Sequence, residues 1–240
     1  MFGTLILPED LLWVILIFAV QFHFTIYQEK RILKAAEKVF SRKGYMQATL
    51  DEIIQIADTG KGTVYKYYQN KENLFYTLVN GKNQKLLKKM EKILEDYPDF
   101  AHRFKEYTYA LVDFLGKNGV LWGVVMFEQR AGRPGWYLRW DDAAKDYTVI
   151  TVWGKRPTPE EVQVQRKYAE ILRTEISYLR KILDDGIADG TLKPLSDAPA
   201  VAENLYFSLC MSATQGAINK ENMAARVPEV LDRFLYGHKA

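Results

Sequence analysis

The chain has 240 residues, of which 48% are hydrophobic and 26% charged, as is ordinary for a globular protein of one large or two modest domains. Its single cysteine, Cys210, excludes an internal disulfide framework and fits a reducing cytoplasm. The three histidines, His23, His102 and His238, lie far apart in the sequence, so we expect no metal cluster and no cofactor.

The net charge of +3 is unevenly distributed along the chain. Residues 28–92 hold 14 Lys or Arg against 7 Asp or Glu, a charge of +7, so the remaining residues must sum to −4. A basic first third joined to a slightly acidic remainder indicates a polyanion-binding head and a body with another task. A set of solvated helix faces is the alternative explanation.

Residues 1–27 form an atypical hydrophobic extension. Residues 11–20 are wholly apolar, and aromatic and aliphatic residues extend this run to Ile26, which is still short of the roughly 20 apolar residues that span a membrane. Acidic residues precede the run, where a secretory signal would carry positive charge. Three interpretations stay open: an upstream region wrongly included in the reading frame, a membrane anchor, or an extra helix that packs on the body.

A first amphipathic helix is predicted over about residues 27–43, and Gly44 is expected to end it. Its apolar positions follow the i, i+3, i+4, i+7, i+8 spacing of one helix face, with Ile32, Ala35, Ala36, Val39 and Phe40.

Two short helices joined by a tight turn are predicted next. Thr49 with Glu52 three residues later fits a capping box, so a helix begins there. The turn comes at residues 58–60 (Asp-Thr-Gly), because Asp tolerates left-handed backbone geometry and Gly adopts it freely. Residues 61–67 are long enough for about two helical turns.

This second short helix has the composition of a helix that enters the DNA major groove. It is small and polar at its start, and Tyr65, Lys66 and Tyr67 follow. Small residues allow close approach to the duplex, while hydroxyl and ammonium groups meet phosphates.

The rest of the chain is also predicted to be helical. Asn70 can cap a long helix that carries a basic run of lysines toward Pro98. Further helical patterns run from Asp99 to about 116–119, over a short apolar piece at 121–129, and over residues 160–188, 198–219 (capped by Ser196 or Asp197) and 225–236. Because no segment alternates convincingly as a strand, we predict an all-α fold.

Residues 131–159 are less regular, since Gly and Pro interrupt them at both ends. Several aromatic residues in and before this region are candidates to line an apolar pocket for a hydrophobic or aromatic compound: Trp122, Phe127, Trp136, Tyr137, Trp140 and Trp153. Ordinary core and loop packing is the alternative for each of them.

The segment Lys61-Gly-Thr-Val-Tyr-Lys-Tyr-Tyr68, with Lys71-Glu-Asn-Leu74, closely resembles the TetR family of bacterial transcriptional regulators. The resemblance runs from Ile32 to about Val79. It departs from the family pattern at residues 57–60, where Ala-Asp-Thr-Gly replaces the common Ala-Gly-Val-Ser, and residues 1–27 have no family counterpart.

The resemblance implies a three-helix, helix-turn-helix DNA-binding domain at residues 28–80, and a divergent helical domain at 81–240 that dimerises and binds a small ligand. The stretch from Gly186 to Leu192 and the capped helix after it resemble the family's two dimerising helices. Most such proteins are repressors. We therefore expect a cytoplasmic homodimer that binds a near-palindromic double-stranded operator and is released by a small molecule.

Each residue of the predicted DNA-binding surface has a proposed role. Thr49 caps its helix and offers a hydroxyl to a phosphate, and Lys71 offers its charge at the start of the following helix. Residues 61–64 face the groove, where Gly62 permits close approach and Thr63 reads a base edge. The full predicted set is Thr49, Lys61, Gly62, Thr63, Val64, Tyr65, Lys66, Tyr67 and Lys71.

Two other classes of function are weighed. A membrane-tethered DNA-binding sensor would use residues 11–26 as an anchor. An enzyme is not expected, because the sequence has no paired-carboxylate, Ser-His-Asp, Cys-His or metal-ligand constellation.

Overall fold

A computed structural model of the chain describes residues 9–129 and 135–238, without the side chains of residues 9–12, 14, 127–129 and 238. The chain divides into two compact units, of which the first ends at Leu78 and the second begins at Val79. Eight α-helices and one two-stranded sheet are found in the described ranges. The predicted all-α class is confirmed, with the small sheet as an addition that the sequence analysis missed.

The first helix, α1, spans Glu9–Gln47 and begins well before the predicted start near Tyr27. Gly44 has φ 72° and ψ −179°, so it breaks the helical path where the sequence predicts an end, and a further short turn follows. The large apolar side chains described in the first half of α1 are exposed, from Trp13 to Phe24. No helix in the described part of the chain is both long and apolar enough to cross a membrane.

The predicted helix-turn-helix is confirmed as α2 (Leu50–Ala57) and α3 (Lys61–Tyr68). The Thr49 hydroxyl accepts a hydrogen bond from the Glu52 amide at 3.3 Å and so caps α2. The long helix α4 (Lys71–Asp96) follows, and the Asn70 side chain accepts from the Asn73 amide at 2.8 Å, as predicted.

The core of the first unit is built from the apolar faces of these helices. Phe40 and Phe75 meet edge to face with ring centroids 5.0 Å apart, and Tyr45 lies 5.1 Å from the Phe75 ring. The other buried apolar residues of this unit include Ile32, Ala35, Ala36, Val39, Ile53, Ala57, Val64, Tyr68 and Leu74.

The second unit contains α4 from Val79 onward and the helices α5 (Phe100–Gly123), α6 (Pro159–Ala188), α7 (Ala198–Thr214) and α8 (Met223–His238). A π-helical turn, Val124–Gln129, continues α5. Two predicted ends are wrong. The α5 helix passes through Gly116 and Gly119, because a helix bounded by buried side chains tolerates isolated glycines, and α7 ends at Thr214 rather than 219.

Arg103 on α5 contacts both the end of α4 and the helix α6. Its guanidinium donates to the carbonyl oxygens of Leu94 and Tyr97 at the end of α4, at 2.8 and 2.5 Å. It also forms an ion pair with Asp185 of α6. The planar guanidinium of Arg103 thus caps the C-terminal end of α4 and holds α6 beside it.

A β-hairpin lies where the sequence predicts an irregular segment. Strands β1 (Trp136–Asp141) and β2 (Asp146–Thr151) are antiparallel, with Trp136 opposite Thr151 and Asp141 opposite Asp146. Trp140 and Tyr147 face each other across the strands at 5.1 Å between ring centroids. Aromatic and β-branched residues in this segment favour strands. The alternation of apolar and polar residues is weak, because one face of the hairpin is only partly buried.

The hairpin is fastened to α6 by charged side chains. Arg166 forms an ion pair with Asp146, Glu170 accepts from the Tyr147 hydroxyl at 3.1 Å, and the Arg173 guanidinium lies 4.1 Å from the centroid of the Trp140 ring. These contacts hold the hairpin on the helix although its other face is exposed.

Gly186 on α6 packs closely against the side chains of Phe100 and Leu192. A Cβ placed there would lie 2.6 Å from Cδ2 of Phe100 and 3.1 Å from Cδ1 of Leu192. We therefore expect Gly186→Ala to lower the free energy of unfolding by about 1–3 kcal/mol, as overpacked core positions do. Urea denaturation measures the change.

Gly116→Ala is the matched control for this substitution. Nothing lies within 4 Å of a Cβ at Gly116, which is also inside a helix. Alanine should raise stability there by about 0.5–1 kcal/mol through helix propensity alone. Equal effects at the two glycines would contradict the packing of α6 against Phe100.

Candidate functional site

The turn between α2 and α3 determines how α3 is presented. Asp58 adopts left-handed geometry with φ 47° and ψ 59°, as predicted, and its amide bonds to the Gln55 carbonyl oxygen at 3.2 Å. Arg31 of α1 donates to both the carbonyl oxygen and Oδ2 of Asp58, at 2.9 and 3.0 Å. The turn is therefore held to α1 by a side chain that spans both acceptors.

A second set of charges joins the end of α1 to α2. The Glu52 carboxylate accepts from Arg42 and from Lys43, the latter at 2.7 Å. The hydrogen bond from Lys43 lowers the pKa of Glu52, so the carboxylate stays ionised at neutral pH. Of the predicted capping box, the half donated to Thr49 is present, while the Glu52 side chain contacts the cations of α1.

The outer face of α3 is cationic and open. Lys61 and Lys66 are exposed, and 42% of Tyr65 is exposed. The Lys61 ammonium group lies 3.4 Å from Asp51 and 5.7 Å from the centroid of the Tyr65 ring. Gly62 is exposed with nothing within 4 Å of a Cβ position, so a bound molecule can approach the backbone there.

Thr63 and Tyr67 lie at the edges of this face and are half-buried. Thr49 is exposed at the start of α2, and its hydroxyl accepts the capping bond while its own hydrogen stays available to donate. The structure therefore places Thr49 as a cap, and its contact with a phosphate stays a prediction.

The prediction that Val64 faces the groove is wrong. Val64 is fully buried, and Tyr68 one turn later is also buried. Residues four apart share one face of a helix, so this pair is the apolar side that fixes α3 to its neighbours.

The prediction that the Lys71 side chain binds a phosphate is also wrong. Its ammonium group donates to the carbonyl oxygens of Tyr45, Ala48 and Met46 at 2.9, 3.0 and 3.4 Å. It also lies 4.5 Å from the centroid of the Tyr45 ring. An ammonium group has three hydrogens, and all three have acceptors at the end of α1 or directly after it.

Lys71→Ala should therefore destabilise the first unit rather than weaken a phosphate contact. Three carbonyl groups lose a charged donor, and we expect the free energy of unfolding to fall by about 1–3 kcal/mol. The slope of log affinity for duplex DNA against log salt should not change.

Lys66→Ala is the control, because Lys66 is an exposed lysine on α3. It should lower the salt slope by about one unit and change stability by less than about 0.5 kcal/mol. A lower salt slope for Lys71→Ala with unchanged stability would contradict the assignment of Lys71 as a structural clamp.

The aromatic residues predicted to line one pocket lie in separate places. Trp122 is fully buried on α5, 4.3 Å from the Phe114 ring, and Trp136 is buried at the start of β1. Tyr137 and Trp153 are 44% and 60% exposed. Trp140 packs on Arg173 at the surface of α6.

Phe127 completes the predicted set, and its side chain lies outside the described residues. A cleft of ≈ 680 Å³ opens elsewhere in the second unit, among residues of α4, α5 and α6 that include Arg103 and Tyr178. None of the five described aromatic candidates is among the residues that line this cleft. The described aromatic candidates therefore do not form a single pocket.

A buried carboxyl group that the sequence analysis missed lies in the core of the second unit. Glu175 of α6 is fully buried, and the Tyr206 hydroxyl of α7 donates to its carboxyl Oε2. The Tyr107 hydroxyl of α5 donates to the Glu175 carbonyl oxygen at 3.2 Å. The detectable signal was an acidic residue within the apolar stripe of α6, three residues after Leu172.

Burial determines the protonation of this cluster. Loss of solvent raises the pKa of Glu175 to about 8, although the Tyr206 hydroxyl and the Trp122 indole favour the ionised form. Burial also raises the pKa of Tyr206, Tyr107 and Cys210, whose ionised forms the nearby carboxyl would repel. At neutral pH the cluster is therefore uncharged.

Glu175→Gln tests this protonation state. The pKa of Glu175 rises from an ordinary 4.5 to about 8 on folding, so its contribution to stability is complete below the unfolded pKa and is lost as pH rises through the folded pKa. Between about pH 5 and pH 8, wild-type stability should fall by about 2–4 kcal/mol relative to Glu175→Gln. Urea denaturation across this range measures the difference, and a constant difference would contradict a neutral buried carboxyl.

Comparisons with known proteins find one family model and two regulators of Bacillus subtilis that match most of the chain. The sequence profile described as "Bacterial regulatory proteins, tetR family" matches residues 32–77. The fatty acid metabolism regulator protein of Bacillus subtilis (strain 168) is 23% identical over 86% of this chain and 93% of its own length. The uncharacterized HTH-type transcriptional regulator YhgD of the same strain is 24% identical over 71% of this chain and 74% of its own length.

Solved structures show the same fold. FadR from Bacillus subtilis, in complex with stearoyl-CoA, has a TM-score of 0.65 and 20% identity, covering 87% of this chain and 98% of that one. FadR from Bacillus halodurans, a fatty acid degradation regulator, has a TM-score of 0.63 and 20% identity, covering 86% of this chain and 97% of that one.

Proposed function

We propose that this chain, whose residues 32–77 match the TetR family of bacterial regulatory proteins, is a DNA-binding transcriptional regulator, and more specifically a homodimeric, cytoplasmic repressor of a near-palindromic operator. In this proposal α3 enters the major groove and an effector bound in the second unit releases the DNA.

The open cationic face of α3 is the observation that carries the DNA-binding half of this proposal. Lys61 and Lys66 supply charge, and the bare backbone at Gly62 allows the helix to approach the bases. Thr63 lies at the edge of the same face and is the candidate for base contact, since a threonine bonds a base edge or packs on a thymine methyl. Tyr65 and Tyr67 point hydroxyl groups toward phosphates, and the hydroxyl of Thr49 contacts another.

The homodimer is proposed from the geometry that such operators require. Two recognition helices must enter successive major grooves on one side of the duplex, about 34 Å apart. The helices α6 and α7 are candidates for the dimer contact, because Met211 is an exposed apolar residue of α7 and Val201, Leu205 and Phe207 on that helix are half-buried. A contact between two such faces would remove these side chains from water.

The effector is proposed to carry a long acyl chain. The support is the likeness to the fatty acid metabolism regulator and to FadR bound to stearoyl-CoA, which this chain matches over most of its length. The second unit offers a core of large aromatic and aliphatic side chains, with Phe104, Tyr107, Trp122, Tyr168 and Tyr206 fully buried. Such a core can repack around an aliphatic chain, which gains free energy from every methylene that it buries.

Selection of bound sites from random double-stranded DNA is the decisive test. We expect two similar half-sites whose centres lie about 10 base pairs, or a multiple of this, apart. Thr63→Ala should change the preferred base at one position in each half-site by about 1–3 kcal/mol. Lys61→Ala should weaken all sequences alike and lower the salt slope by about one unit.

Arg139→Ala is the control variant for non-specific charge, since Arg139 is an exposed cation on the hairpin of the second unit. It should leave both affinity and salt slope unchanged. Selection that yields no enriched sequence, or a site without internal symmetry, would contradict the operator and the homodimer respectively.

A further inference from the structure

The first half of α1 leaves a long apolar surface in water. Its N-terminal segment, residues 13–27, contains no Asp, Glu, Lys or Arg. Nine large apolar side chains in this segment are at least half exposed: Trp13, Ile15, Leu16, Ile17, Phe18, Val20, Phe22, Phe24 and Tyr27. Single exposed apolar residues are normal, whereas a contiguous apolar patch of this extent marks an interaction surface.

Five of these side chains have the spacing of a coiled-coil seam. Trp13, Ile17, Val20, Phe24 and Tyr27 follow one another at intervals of four, three, four and three residues, and each is 54–64% exposed. An average interval of 3.5 residues keeps such side chains in one line along a helix, where they face a second helix. From the first residue to the last, the line is about 21 Å long at 1.5 Å per residue.

The same face carries a groove that fits a side chain from another helix. The groove has a volume of ≈ 400 Å³ and is lined by Ala19, Val20, His23, Phe24 and Tyr27. The last four of these residues stand at positions i, i+3, i+4 and i+7. In knobs-into-holes packing, such a set of four residues forms the hole that receives a knob from the facing helix. The spacing and the groove therefore both indicate a helix as the occupant.

We propose that the N-terminal segment of α1 packs against the same segment of other copies of this chain, and so joins two homodimers into a tetramer. A second copy presents an identical line of apolar side chains and an identical groove, so the contact can be self-complementary. The inference goes beyond the proposed function, which gives residues 13–27 no role, and it rests on that function only for the homodimer.

The exposed area is sufficient for a stable contact. Covering an aromatic side chain removes about 150–250 Å² from water. Trp13, Phe18, Phe22, Phe24 and Tyr27 are each more than half exposed, so together they leave roughly 500–800 Å² uncovered in each copy. A standard protein interface buries about 800 Å² per partner, and the exposed aliphatic residues of the segment add to the aromatic area.

The opposite side of the segment indicates a bundle of more than two helices. Ile15, Phe18 and Phe22 are spaced by three and four residues. At 3.6 residues per turn they lie about 170° around the helix from the first line. A helix that is apolar on all sides is typically buried among others, and two homodimers would supply four such helices. A helix that lies on a lipid surface has instead a polar face rich in Lys or Arg, which residues 13–27 lack.

Sedimentation equilibrium of the full-length protein tests the assembly. Wild type should have the mass of four chains, and Ile17→Glu combined with Phe24→Glu should lower the mass twofold, because unpaired carboxylates are costly to bury. Both positions are exposed in a single copy, so the variant should keep its helical content by circular dichroism. Met46→Glu combined with Tyr236→Glu is the matched control. It adds the same charge at exposed apolar positions outside the segment and should keep the mass of wild type.

A cysteine in the middle of the segment gives an independent measurement. Val20 is the central residue of 13–27, so it meets its counterpart in another copy whether the helices are parallel or antiparallel. The natural Cys210 is buried. Under mild oxidation, Val20→Cys should therefore form a disulfide between copies, and Met46→Cys should not.

The outcomes separate this inference from the proposed function. Equal masses for wild type and the Ile17→Glu, Phe24→Glu variant would overturn the inference, and flotation of wild type with phosphatidylglycerol vesicles would then show that lipid covers the segment. A wild-type dimer that becomes a monomer in this variant would support the contact between N-terminal segments and contradict the homodimer of the proposed function.

Discussion

The first unit depends on the anchoring of one short helix. The helix α3 has eight residues, fewer than the ~12–15 at which an isolated helix becomes even marginally stable in water. Its stability therefore comes from the burial of Val64 and Tyr68 and from the turn before it, which Arg31 holds at Asp58. A substitution on the inner face of α3 that weakens this packing would also change the orientation of the outer face, because both faces belong to the same two helical turns.

Charged side chains do much of the positioning in both units, and they do so by bonding backbone carbonyl oxygens. Lys71 donates hydrogen bonds to three carbonyl oxygens near the end of α1, and Arg103 donates to two at the end of α4. Carbonyl groups at helix ends have no partner within the helix, and cations are favoured there by the helix dipole. A lysine in a DNA-binding domain is therefore not automatically a phosphate ligand, since the same charge can be more useful inside the domain.

The sequence was sufficient where the signal is local. Caps at Thr49 and Asn70, the left-handed turn at Asp58 and the stripe that buries Ile32 to Phe40 could all be read from residue types a few positions apart. Val64 and Lys71 were misassigned because burial and carbonyl contacts depend on chain segments 20 or more residues away. The hairpin was missed for a related reason: an ion pair and a hydrogen bond with α6 stabilise its strands, and the local alternation of apolar and polar residues does not indicate such contacts.

Regulation by an effector bound in the second unit sets an energetic requirement. An effector shifts a conformational equilibrium only by the difference in its affinity for the two states. An unpaired buried polar group costs about 1–3 kcal/mol, and coupling between allosteric sites is typically about 1–3 kcal/mol. An effector contact that satisfies a buried polar group in only one of the two states would thus supply coupling of the size that regulation requires. The helix α4, Lys71–Asp96, belongs to both units, since the first unit ends at Leu78 and the second begins at Val79.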